Sequence, residues 1–337
     1  MTQRKIRLGI AGMGYVGRIH YEAAKKTPGV EVVAIASRQA SRVKKRFPEV
    51  AFTSSYQRLF HSYQLDAVLI CVPTFLHEDL VVEAAQCGLH VLCEKPMALN
   101  AASAARMLRA TESSGVVFMV AQLLRFWPQY TAIKKLLTEG KLGRLHSTAT
   151  YRLAKPPMWS TWFRDPEKSG GCLLDLQIHD MDFIYWMLGR PKILQTFAVK
   201  SGSAPKDHVN TVLTFADDQI ATIEASYLMP DSWPFSCGLR LTGSQAAAEY
   251  RFVSADDIAG RAESIESAHL YAEHGDASEI QTSPQDMFVA QLQHFVDCVR
   301  DRRKKLICPP QQSYEVMKLM DASSVSAASG TPIFLEL

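Results

Sequence analysis

From residue 6 to about residue 121 the chain repeats one arrangement, a short unbroken apolar run followed by a longer amphipathic stretch. The runs are Ile6 to Ala11, Val30 to Ala36, Ala67 to Val72, Leu89 to Cys93 and Val116 to Ala121. They are aliphatic or β-branched in the way that parallel strands covered on both faces require. Between them, Val16 to Lys26, Leu80 to Cys87 and Ala101 to Ser113 carry apolar residues at helical spacing. Strand and helix alternating in this manner predict a doubly wound parallel sheet of the Rossmann kind.

Beyond about residue 122 the pattern changes. HSTATYRL (146–153) and NTVLTFADDQIATIEASYL (210–228) alternate apolar with polar positions, and Ala216-Asp217-Asp218-Gln219 reads as the turn of a hairpin. A helix over Leu173 to Leu188 interrupts them and closes at Gly189 and Pro191. Further helices are expected over Asp286 to Arg300 and Tyr314 to Ala328. The fold class expected is α/β: an N-terminal Rossmann doubly wound parallel sheet over residues 1–122, then a C-terminal α+β domain over 123–337 with a large, mostly antiparallel open sheet.

Composition narrows the partners. A chain of 337 residues, 47% hydrophobic, fills two cores. Its formal charge of +3 is near balance, and its densest basic run, Arg42-Val43-Lys44-Lys45-Arg46, is short, so no nucleic-acid footprint is present and a small molecule is the expected partner. Seven cysteines, with no C-x-x-C pair, signal neither a metal site nor a disulfide framework and read as reduced core residues. MTQRK passes directly into IRLGIAG without a leader's apolar length, and no run is long enough to span a membrane, so a cytoplasmic location is expected.

The first strand ends in Gly12-Met13-Gly14-Tyr15-Val16-Gly17, which opens the first helix. Glycines here allow a tight turn, approach of backbone to a pyrophosphate and close packing of helix on strand, while the helix start offers N–H groups to phosphate. The alternative is a glycine-rich turn with no ligand. At the end of the second strand, where a carboxylate would bind the ribose hydroxyl of NAD, stand Ser37 and Arg38, with Arg42 beyond them. A hydroxyl and guanidinium groups suit a 2′-phosphate, so NADP is favoured over NAD; otherwise these arginines are simply a wet helix face.

Another strand end reads VLCEKPMAL. Glu94 and Lys95 stop an apolar run and Pro96 follows at once. Ligands bind outside the carboxyl ends of strands in such sheets, and a cis Lys95-Pro96 bond would aim the lysine there. Read blandly, the two charges are a surface ion pair. Farther along, GGCLLDLQIHDMDFIYWMLG places Asp175 and His179 four apart on one helical face, a candidate general base beside a carboxylate. Asp180 and Asp182 point elsewhere and read as polar contacts or solvated groups.

Taken together, GIAGMGYVGRIH, DAVLICVPTFLHEDLVVEAAQCGLHVLCEKPMAL and SGGCLLDLQIHDMDFIYWMLG resemble the Gfo/Idh/MocA oxidoreductases, named for glucose-fructose oxidoreductase and inositol dehydrogenase, over nearly the whole chain. The resemblance implies an NAD(P)-dependent dehydrogenase or reductase acting on a CH–OH group of a sugar, inositol or other polyol. It makes Lys95, Asp175 and His179 catalytic, with Glu94 positioning Lys95. It puts Val72, Pro73, Thr74, His77 and Gln122 beside the dinucleotide. Gln177 departs from the glycine of many members. Arg125, Trp162 and Arg164 are the candidates for the substrate, in a region also rich in Tyr151, Arg152 and Trp159. A non-catalytic dinucleotide-responsive sensor, or a glycoside hydrolase that retains its nicotinamide, are the competing readings. The open second sheet leaves a face in need of cover, which favours a homodimer or homotetramer.

Overall fold

The computed structural model describes residues 4–38, 44–157, 161–201, 207–254 and 264–335. The chain divides into two units. One comprises residues 1–126 and Gln285–Met317, the other Trp127–Pro284 and Lys318–Leu337.

The first unit carries a six-stranded sheet in the order β3-β2-β1-β4-β5-β6, with every pairing parallel. Its strands are β1 (Ile6–Ala11), β2 (Val30–Ala36), β3 (Ala51–Thr53), β4 (Ala67–Ile70), β5 (His90–Cys93) and β6 (Phe118–Val120). The helices α1 (Tyr15–Lys26), α2 (Tyr56–Ser62), α3 (His77–Gln86) and α4 (Ala101–Ser113) connect them. Start signals lie where helices require them: Ser55 Oγ accepts from the Arg58 N–H at 3.1 Å and Asn100 Oδ1 from the Ser103 N–H at 2.9 Å. Strand β3 and helix α2 escape the hydrophobic pattern because three residues at a sheet edge leave no period to read.

The expectation that residues 123–337 form one continuous second domain differs from the division found. After the second unit the chain returns to the first. Asp286 caps the helix Met287–Arg300, its carboxylate accepting from the N–H groups of Phe288 and Val289. That helix buries Leu292, Phe295, Val296 and Cys298 in one cluster with Leu8, Ile10, Leu69, Leu92 and Met119. The next helix, Pro310–Ser329, begins four residues before the Tyr314 expected, on a proline suited to a first helical position.

In the second unit a nine-stranded sheet runs β14-β13-β12-β11-β7-β10-β9-β8-β15, antiparallel except between β7 and β10. These are β7 (Leu145–Leu153), β8 (Ile193–Lys200), β9 (Asp207–Thr214), β10 (Ile220–Ser226), β11 (Ser236–Gly243), β12 (Ala246–Val253), β13 (Ile265–Ala272), β14 (Ser278–Glu279) and β15 (Ile333–Phe334). The hairpin at residues 216–219 is present, closed by the Phe215 N–H on the Gln219 carbonyl and turned by Asp218 at φ 58°. The remaining helices, in chain order, are α5 (Pro128–Thr138), α6 (Pro166–Ser169), α7 (Ile178–Leu188), α8 (Met287–Arg300, described above) and α9 (Pro310–Ser329).

One face of this sheet is dry. Tyr130 of α5 meets Phe183 of α7 edge-on at 4.9 Å and Tyr250 of β12 at 5.3 Å. Arg152 of β7 reaches Asp180 of α7 at 3.0 Å with both side chains buried. Asp180 is therefore not solvated, and neither is the buried Asp182. On the opposite face Phe197, Val199, Ile220, Ile265 and Tyr271 stand exposed.

Candidate active site

In the first unit the turns that follow β1, β2, β4, β5 and β6 leave the carboxyl edge of one parallel sheet, so Gly12 to Gly17, Ser37 with Arg38, Val72 to Thr74, Glu94 with Lys95, and Gln122 all lie along it. The glycine loop fits a dinucleotide. Gly12 has φ +96°, and a Cβ on it would collide with the Cys71 carbonyl; a Cβ on Gly17 would collide with the Gly12 carbonyl. A Cβ on Gly14 would meet nothing within 4 Å, which leaves open space at the start of α1. No side chain caps that start, so its N–H groups remain available to phosphate. Ser37 is buried and donates its N–H to the Thr53 carbonyl at 3.0 Å, while Arg38 is exposed beside Tyr56, whose phenol burial pushes up against the opposing pull of the arginine charge. Arg42 lies outside the described residues.

The Lys95–Pro96 bond is cis. Glu94 and Lys95 are the two partly exposed residues between buried Cys93 and buried Pro96. Glu94 Oε2 accepts the Lys95 N–H at 3.2 Å, and its other oxygen faces His20 of α1. His77 corrects an expectation. Instead of turning toward a cofactor, its ring is buried with Nδ1 2.9 Å from the Pro96 carbonyl and Nε2 2.9 Å from the Val72 carbonyl. Burial pushes its pKa below the ordinary value, against the opposing pull of the two carbonyls, and the ring packs between the loop after β4 and the lysine turn, its neutral form donating its single N–H to one of them.

Arg125 corrects another. It is 1% exposed, and its guanidinium donates to the Ile307 carbonyl and to Gln312 Oε1, which anchors the returning segment of the first unit; it does not present itself to a substrate. The seven cysteines are free thiols. Those nearest this edge, Cys71 and Cys93, are held well above their ordinary pKa by burial and then by the Glu94 charge, and stay protonated.

In the second unit the predicted helix begins as a wider turn, Leu173–Gln177, with i→i+5 bonding, before α7 starts at Ile178. Such turns occur often at functional sites. From Leu174 to Ile184 the residues are buried except Asp175 and His179, which share the one open side. Neighbours hold the turn from behind. The Cys172 N–H donates to Asp207 Oδ2 at 2.9 Å, and Gly171, at φ +65°, passes too close to that carboxylate for a side chain. Gln177 Nε2 donates to Thr211 Oγ1 at 2.8 Å.

Tyr227, just past β10, donates its hydroxyl to Asp175 Oδ2. Burial, then the Asp175 charge, pushes this phenol well up, so it remains a donor. Neither Tyr227 nor His20 was among the candidates read from the sequence. Tyr227 is 52 residues from its partner, and His20 carries only the weak signal of a lone histidine on the apolar face of an amphipathic helix. Trp162 is partly exposed and stacks on Phe163 with ring centroids 3.9 Å apart. Trp159 and the side chain of Arg164 lie outside what the structure describes. Among the described residues no group of three or more His, Cys, Asp or Glu is placed to hold a metal, and no helix is long and apolar enough to cross a membrane.

A sheet of order 3-2-1-4-5-6 with a glycine loop after its first strand defines a dinucleotide-binding Rossmann fold. Residues 6–122 match the model of the oxidoreductase family with an NAD-binding Rossmann fold, and residues 130–249 match the GFO/IDH/MocA C-terminal domain. The chain belongs to the Gfo/Idh/MocA family and is an NAD(P)-dependent oxidoreductase. It is 30% identical over 197 residues to the myo-inositol 2-dehydrogenase of Thermotoga maritima, covering 57% of this chain and 58% of that one. It is 28% identical over 335 residues to D-xylose 1-dehydrogenase (NADP(+)) 2 of Haloferax volcanii, covering 98% of each. The solved aldose-aldose oxidoreductase of Caulobacter crescentus shares the fold with a TM-score of 0.85 at 22% identity, over 98% of this chain and 100% of that one.

Proposed function

We propose that the protein moves hydride between nicotinamide C4 and a secondary alcohol or ketone of a sugar, inositol or related polyol. The observation that carries this reading is a lysine set on a sharp turn at the carboxyl edge of the sheet that also bears the glycine loop. When bound, the nicotinamide supplies the hydride acceptor for oxidation and the donor for reduction. In the oxidative direction Lys95 hydrogen-bonds the reacting oxygen and stabilises its developing negative charge. His179 takes the hydroxyl proton. The substrate carbon thus loses a hydride, its oxygen loses a proton, and a carbonyl forms. Asp175, held by Tyr227, orients His179 and the substrate, and Glu94 fixes Lys95. Trp162, partly exposed, contacts the substrate.

NADP is the favoured cofactor. Support comes from the absence of a carboxylate at the end of β2, where Ser37 and Arg38 stand, and from the NADP-named xylose dehydrogenase that aligns along nearly the full chain. The second unit binds substrate, and its exposed apolar sheet face, with Phe197, Val199 and Tyr271, carries self-association into a dimer or tetramer.

Absorbance of reduced nicotinamide tests the reading, with NADP and NAD in parallel against inositols, aldoses and aldonic derivatives. Lys95→Met should lower turnover by about 10²- to 10⁴-fold while leaving cofactor binding in place; near-normal turnover in that variant would sink the mechanism. Ser37→Asp should shift preference toward NAD by about tenfold or more, through repulsion of the 2′-phosphate. An unchanged ratio of NADP to NAD efficiency would show that Ser37 does not face the adenosine end.

A further inference from the structure

His20 stands in the second turn of α1 and has a fully buried side chain. Its Nε2 lies 2.5 Å from Glu94 Oε1. Phe288 of α8 packs on the ring at 5.1 Å between centroids and an interplanar angle of 88°. Nδ1 is buried with no hydrogen-bond partner. These facts select the donor on the ring. An N–H on Nε2 faces a carboxylate, whereas one placed on Nδ1 instead would be buried without an acceptor, which costs more than burying a lone pair there. The Nε2–H then donates to a carboxylate in a short, charge-assisted bond.

Glu94 is thereby held from two directions. One oxygen receives His20 from α1, and the other receives the backbone N–H of Lys95. The contact links the helix that opens at the glycine loop to the strand end that carries the lysine, across 74 residues of chain. Rotation of the Glu94 side chain would release both donors together and free the lysine turn on that side.

We propose that His20 is a positioning residue for hydride transfer: it donates to Glu94 and so fixes the orientation of Glu94 and of the Lys95 backbone. This rests on the reading of Lys95 as the residue at the reacting oxygen. His20→Phe is the informative variant, since it fills the ring's volume, keeps the contact with Phe288 and removes the donor. His20→Gln restores an N–H donor.

His20→Phe should lower kcat by about 10- to 100-fold, the scale of a slightly misplaced catalytic group. KM for the sugar and the dissociation constant for NADP, read by fluorescence quenching, should change far less. His20→Gln should recover much of the lost kcat. The double variant His20→Phe/Glu94→Gln should turn over no more slowly than Glu94→Gln alone, because both changes break one contact. Proton NMR of the unliganded protein should show a downfield imidazole N–H resonance that Glu94→Gln shifts or abolishes.

Normal kcat in His20→Phe, or fully additive losses in the double variant, would overturn the proposal. Should His20→Phe fail to fold, an imidazole resonance indifferent to Glu94→Gln would overturn it equally. Lys95→Met, assayed alongside, separates the two readings. Full turnover in that variant removes the role of Lys95 and this proposal with it, whereas lost turnover there beside normal His20→Phe removes the proposal alone.

Discussion

Between Asp175 and His179 the side chain of Gln177 turns inward, fully buried, and gives its amide N–H to Thr211 and, at 3.4 Å, to the Ile223 carbonyl. It fastens the wide turn to β9 and β10 at the midpoint of the two candidate catalytic residues. Gln177→Ala should therefore cost about 1–3 kcal/mol, by removing the amide donor that Thr211 and the Ile223 carbonyl share and opening a void. It should also lower kcat more than it raises KM. A denaturant midpoint equal to that of the parent would show that the amide does not hold the turn. At this scale the sequence is legible where chemistry is local. The E-K-P turn and the Asp175–His179 spacing can be read because each is contained in a few residues. Arg125 was misread because its partners, Ile307 and Gln312, lie more than 180 residues away, and no local pattern distinguishes an arginine that binds a sugar from one that anchors a returning chain. His77 shares that difficulty, since its ring meets carbonyl groups, which carry no residue identity.

Among elements, those with long unbroken patterns were the easiest to foresee. The bounds of β1, β2 and α4 coincide with the apolar or amphipathic runs that predict them. The helix expected over Leu173 to Leu188 has its periodicity right and its first turn wrong, because a π-type turn displaces the register by a fraction of a turn that hydrophobic spacing does not resolve. Helix α8 was foreseen to within a residue, although its allegiance was not: its apolar face specifies burial without naming the core that receives it. Phe295, fully buried there, makes the assignment testable. Phe295→Ala should lower stability by about 3–5 kcal/mol and weaken NADP binding, with sugar-independent cofactor affinity as the measurement. Unaltered cofactor affinity in a destabilised protein would mean that α8 supports the first sheet without shaping its binding edge.

For the whole molecule, acid stability follows from three histidines of the first unit. His77, His90 and His294 all have pKa values lowered from the ordinary 6.5, with burial the largest cause in each. Their unfolded counterparts take up protons near 6.5 while the folded rings remain neutral. The stability they lend is complete above that value and declines as pH falls through the window below it, by at most about 1.4 kcal/mol per pH unit for the fully buried His77 and less for the other two. Urea midpoints should thus be lower at pH 5.5 than at pH 7.5, and equal midpoints would contradict the burial of these rings. The two-unit plan was visible as a change from parallel to alternating pattern near residue 122, but the returning segment was not, since a sequence is read in one direction and a core is assembled from both. That return has a consequence for synthesis. A nascent chain that has emerged through Phe126 possesses all six strands of the parallel sheet and still lacks Leu292, Phe295 and Val296, which close its apolar side. On the ribosome the dinucleotide-binding unit is begun before the intervening unit and cannot be finished until that unit has been made, so its exposed sheet waits through the translation of 158 residues, Trp127–Pro284.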